Sequence, residues 1–96
     1  MAAVFANNFT NHLYGISEQL MIAHQLPFEI LKPLILGAVE NLAEHSPSQI
    51  QTGPATRKDF QVIEKHLQLL GDDTRLQKIY DILTQSIIAS QQNKTS

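Results

Sequence analysis

Apolar side chains recur at intervals of three and four residues along almost the whole of this chain, and nowhere do they alternate one by one with polar residues. A repeat of about 3.6 belongs to the α-helix and a repeat of two to the strand. The pattern therefore confines the chain to an all-α fold, a bundle of several helices. Phe5, Phe9, Leu13, Ile16 and Leu20 mark one face of a first helix over 2–24, with Asn7, Asn11, Glu18 and Gln25 on the other side. Gly15 inside that helix costs about 1 kcal/mol relative to alanine, a position that would admit another backbone closely.

Leu26-Pro27 breaks the first stripe, and Pro27 suits the first turn of a second helix. Phe28, Leu31, Leu34, Ile35, Ala38, Val39 and Leu42 form a broad apolar stripe that is expected to end near His45. Pro33 sits inside it and predicts a kink or a late helix start. Ser46-Pro47-Ser48-Gln49 has the form of a capping box with proline at the first helical position, hence one or two short turns. Gly53 precedes Pro54 and must interrupt the helix there. The stretch 51–58 is the longest segment without periodicity.

Asp59 is placed to cap a further helix whose inner positions are Phe60, Ile63, Leu67 and Leu70, with Gly71 closing it. Asp72 or Asp73 caps the last helix, whose stripe is Leu76, Ile79, Tyr80, Leu83 and Ile87. The expected organisation is one helical domain over 1–90 and a frayed polar tail over 91–96.

Composition removes several function classes. Seven Lys and Arg against nine Asp and Glu leave a net charge of −2, without a basic tract, so nucleic acid is not an expected partner. The absence of cysteine excludes disulfide scaffolds and thiol chemistry. No apolar run approaches a membrane span or a signal peptide, which makes a cytoplasmic location the expectation. His12, His24, His45 and His66 show no zinc-ligand spacing, so no metal is expected. No glycine-rich phosphate loop and no nucleophile elbow occur.

Two segments are unusual for a plain bundle. Asn7-Asn8-Phe9-Thr10-Asn11-His12 places a run of weak helix formers inside a helix. Thr52-Gly53-Pro54-Ala55-Thr56-Arg57-Lys58-Asp59 combines hydroxyls, free backbone N–H groups and a cation just ahead of a helix start. That chemistry suits a small anionic group.

Phe5-Ala6-Asn7-Asn8-Phe9, the 52–59 segment and Ile63-Glu64-Lys65-His66-Leu67, in that order, resemble a bacterial family in which a Rossmann-like NAD(P)-binding domain is followed by a helical domain of unknown function. The resemblance covers about 2–87. The helical domain is similar to the C-terminal domain of 6-phosphogluconate dehydrogenase and of pyrroline-5-carboxylate reductase. It implies NAD or NADP as cofactor, held mainly by a domain missing from this chain, and an active-site asparagine falling on Asn7 or Asn8. It also implies a substrate-carboxylate loop resembling Thr52, Gly53, Pro54 and Thr56. Two departures stand out: Val4 occupies the place of a catalytic lysine, and Lys58 replaces a glycine in the loop.

The resulting expectation is a substrate-side and dimerisation domain of an NAD(P)-dependent oxidoreductase, inactive in isolation. Asn8, Thr52, Gly53, Thr56 and Arg57 are the expected substrate contacts, with Asn7, Asp59 and His66 as further candidates. A homodimer is expected because the stripes of the second and last helices are wider than one neighbour covers. The rival reading is a non-enzymatic helical interaction module that uses its stripes only for packing and self-association.

Overall fold

The computed structural model describes residues 1–94, and among them every regular element is helical. Contacts divide the chain into two compact units, Met1–His45 and the part from Ser46 onward.

In the first unit, α1 (Thr10–Ala23) continues from a six-residue π-helical segment, Val4–Phe9. The Thr10 hydroxyl donates to the Phe5 carbonyl at 3.0 Å, closing the widened turn from its own side chain. The Phe5 and Phe9 rings meet edge to face with centroids 5.1 Å apart. At the other end, Gln25 takes the left-handed conformation (φ 60°). Leu26 N–H then reaches the Met21 carbonyl and Gln25 N–H the Ile22 carbonyl, both at 2.9 Å, which is a Schellman closure with glutamine at the glycine position.

Pro27 is extended (φ −78°, ψ 144°) and caps a 3₁₀ turn, Phe28–Leu31, from outside the helix. The second α-helix starts late, as Pro33 requires: α2 runs Lys32–Asn41 with the proline in its first turn. It ends earlier than its apolar stripe, at Asn41, and turns of the backbone carry the chain to His45. The 28–31 turn packs on both α1 and α2.

No residue of this unit is buried. Of the positions expected to face inward, Leu13, Ile16, Phe28, Leu31 and Ile35 are half-buried, whereas Phe5, Phe9, Leu20, Leu34, Ala38, Val39 and Leu42 are exposed. Five of the twelve positions expected to face inward are thus half-buried, and no layer of the unit closes over the other seven.

The second unit opens with a single 3₁₀ turn, Pro47–Gln49, held by the capping box at Ser46, whose N–H donates to Gln49 Oε1 at 2.9 Å. Three helices follow: α3 (Pro54–Arg57), α4 (Phe60–Leu69) and α5 (Thr74–Lys94). The one-turn helix α3 lies in the stretch that shows no periodicity in sequence, and it packs on both α4 and α5. Its Ala55 and α4's Ile63 are the buried apolar residues, with Thr84 of α5 buried beside them in rank.

Asp59 caps α4 through Val62 N–H to Oδ1 (3.3 Å), Gly71 closes it in the left-handed region (φ 59°), and Asp73 caps α5 through Leu76 N–H (3.0 Å). Phe60 departs from expectation: it is 61% exposed. Leu83 departs as well, at 43% exposed. The last helix extends through Lys94, beyond the boundary drawn at residue 90; the remainder of the expected tail, 95–96, lies outside the described residues.

Candidate functional site

Gly53 and Lys58 set the geometry of the 52–59 segment. Gly53 sits at φ 108°, ψ 173°, a conformation essentially closed to side-chain-bearing residues, and turns the chain into α3. Pro54 then supplies a preset φ at the first helical position. After one turn Lys58 adopts the left-handed conformation (φ 54°, ψ 40°). Asp59 N–H reaches the Pro54 carbonyl (2.9 Å) and Lys58 N–H the Ala55 carbonyl (3.1 Å), a second Schellman closure with a non-glycine at its key position. Lysine therefore takes up the loop conformation that glycine would adopt, at some cost in backbone strain.

Between these two left-handed joints, Ala55 is the plug, 5% exposed against α4 and α5. With Ala55 fixed, the side chains around it face outward: Arg57 and Thr52 are exposed and Thr56 is half-buried. The Thr56 hydroxyl donates to the Thr52 carbonyl at 3.4 Å, so it is engaged within the segment. Arg57 makes no ion pair or hydrogen bond through its side chain among the described residues. Asp59 is half-buried and its carboxylate is committed to capping α4.

His66, further along α4, is not part of that segment's hydrogen bonding. Its Nδ1 lies 2.8 Å from the Tyr80 hydroxyl, and the two rings meet edge to face at 5.7 Å. Burial raises the Tyr80 hydroxyl above its ordinary pKa of 10.0. Nearby, the Gln77 amide donates to the carbonyls of Leu67 (3.1 Å) and Gly71 (2.7 Å). The pair thus belongs to a set of polar ties between α4 and α5. By spacing Tyr80 belongs to the apolar stripe of the last helix; fourteen positions separate it from His66, and no local spacing announces such a contact.

Asn7 and Asn8 belong to the first unit, where both stand exposed on the π-helical segment. Neither amide has a hydrogen-bond partner among the described residues. Of the weak helix formers over 7–12, Asn7, Asn8 and Phe9 lie in the π-helical segment Val4–Phe9, whereas Thr10, Asn11 and His12 lie in α1. Insertions of this kind often mark functional positions.

Among the described residues no group of three or more His, Asp or Glu could hold a metal ion, and no helix is long and apolar enough to cross a membrane.

The family model of a domain of unknown function, DUF2520, matches residues 1–87. Among solved structures, one from Bacteroides fragilis, described as a "putative NADP oxidoreductase", is 43% identical and superposes with a TM-score of 0.89 over 92% of this chain. The chain spans 34% of the length of that protein. No curated protein matches the chain.

Proposed function

This chain is a member of the DUF2520 family of helical domains of unknown function, and from that premise we propose that it forms the substrate-side domain of an NADP-dependent oxidoreductase. The observation that carries the reading is the 43% identity, over nearly the whole chain, to about one third of a protein described as a "putative NADP oxidoreductase". The remaining two thirds of such a protein leave room for a Rossmann-like cofactor domain, whose bound NADPH would supply the hydride while this domain orients the substrate. The architecture in this reading is that of the 6-phosphogluconate dehydrogenase C-terminal domain, and the protein works in the cytoplasm as a homodimer.

Thr52 and Arg57 contact the substrate, with Gly53 and Thr56 shaping the segment that presents Arg57. An exposed guanidinium without a partner suits a carboxylate or phosphate group, because a bidentate charged contact has geometric as well as electrostatic selectivity. Lysine acid–base chemistry at Val4 is not part of the proposal.

The test is calorimetric titration of NADPH into the 96-residue chain and into the longer protein that carries this domain after a cofactor-binding domain. The expected result is micromolar binding by the longer protein and none by the chain alone. Binding by the isolated chain, or no binding by the longer protein, overturns the proposal. In the longer protein Arg57→Ala weakens an anionic substrate by ~1.5–3 kcal/mol, the usual size of a lost charged hydrogen bond, and leaves NADPH affinity unchanged.

A further inference from the structure

The helix α2 carries an uncharged run, Pro33-Leu34-Ile35-Leu36-Gly37-Ala38-Val39, that is apolar all round. A helix of that kind is ordinarily enclosed. Here Leu36 is 61% exposed and Val39 55%. With Lys32 they follow the 4, 3 spacing of one helix face, and every member is exposed. Glu40 flanks the same face. Leu34 and Leu42 lie on a different side of the helix and carry no charge with them.

We propose that this face is the contact with a second copy of the chain, the two α2 helices pairing antiparallel about a two-fold axis that passes beside Leu36. The inference rests on the homodimer of the proposed function and adds where and in what orientation the copies meet. The choice of occupant comes from the charges. Lys32 stands four residues before Leu36 and Glu40 four residues after it. Antiparallel pairing centred on Leu36 therefore brings Lys32 of each copy to Glu40 of the other, twice by symmetry. A parallel pairing would set like charges side by side. Lys32 is the sole Lys or Arg of Met1–His45, against the carboxylates of Glu18, Glu29, Glu40 and Glu44. Two copies of such an acidic unit repel except where that lysine is used. Its present partner, Glu29 at 3.4 Å, forms an exposed pair, so sharing it with a second carboxylate costs little.

Sedimentation equilibrium of the 96-residue chain at micromolar concentration tests the arrangement, with circular dichroism to verify helicity of each variant. Leu36→Glu sets two carboxylates beside the axis and gives a monomer of 10.8 kDa. Leu34→Glu, on the other side, keeps the dimer. Lys32→Glu and Glu40→Lys each raise the dimer dissociation constant ~tenfold, and the double reversal K32E/E40K returns it to within ~threefold of the original, as expected of paired charges. A dimer that is indifferent to Leu36→Glu, or a double reversal no better than the single ones, overturns the pairing while leaving the homodimer standing. A wild-type chain that sediments as a monomer overturns both.

Discussion

Ile63 in α4 is 8% exposed, whereas Ile22 near the end of α1 is 63% exposed, although each is an isoleucine within an α-helix. The contrast runs through the two units. Twelve of the sixteen exposed large apolar side chains fall within Met1–His45, which has no buried residue, and four fall within the part from Ser46 onward, which holds Ala55, Ile63 and Thr84. In the second unit the short helix α3 closes over α4 and α5, and polar ties from His66 and Gln77 join those two helices. The first unit has longer apolar stripes, and the 28–31 turn that packs on both of its helices leaves no residue buried. Stripe width alone therefore does not make a core; the crossing element has to cover the stripes as α3 does around Ala55.

Truncating the two isoleucines gives the largest expected difference. Ile63→Ala costs ~2–4 kcal/mol in chemical denaturation, as buried isoleucine truncations do, while Ile22→Ala measured on the monomeric Leu36→Glu background stays within ~0.5 kcal/mol. Equal losses would break the comparison. The next effect concerns the lid. Gly53→Ala forces a side chain into φ 108° and destabilises by ~1–3 kcal/mol; an unchanged denaturation midpoint would mean that α3 does not close the second unit.

Removing the α4 cap by Asp59→Ala costs ~1 kcal/mol, and the same measurement reads it. Lys58→Gly works in the opposite direction. Relief of the left-handed lysine, partly offset by the entropy of glycine, stabilises by ~0.5–1 kcal/mol, and a loss of stability would show that the lysine side chain itself supports the turn.

The smallest effect depends on pH. Because burial raises the Tyr80 pKa in the folded state, the neutral hydroxyl is the favoured form there. Its contribution is fully present below pH 10 and is lost as pH rises from 10 through the folded-state value. Stability of the wild type falls over that window, and that of Tyr80→Phe falls less. Parallel curves for the two proteins would remove Tyr80 from the account.

The helices were legible because caps and periodicity are local. Asp59, Gly71 and Asp73 act at the positions their residue types announce, and Pro33 delays α2 as its missing N–H demands. What escaped the sequence was not local. Phe60 and Leu34 fit inner faces by spacing yet stand 61% and 71% exposed, since burial depends on what crosses above them. The helix α3 was hidden because one turn is too short to display a period. Of the candidate contacts, the 52–59 segment could be read as a unit, but Arg57's outward placement follows from Ala55 being its anchor, and small buried alanines carry no signal in a sequence. His66 found a partner in Tyr80 that lies on another helix.

The π-helical segment makes the length of the first helix matter residue by residue. Its hydrogen-bonded ring holds one residue more than an α-turn does, so Val4–Phe9 contains a position that ordinary winding would not accommodate. Deleting one residue there restores α-geometry and leaves the flanks near their present phase, because the wider winding already turns through about the same angle with one residue more. A relative that lacks one residue here keeps the flanking face and loses one of the side chains that the wide turn presents beside Asn7 and Asn8.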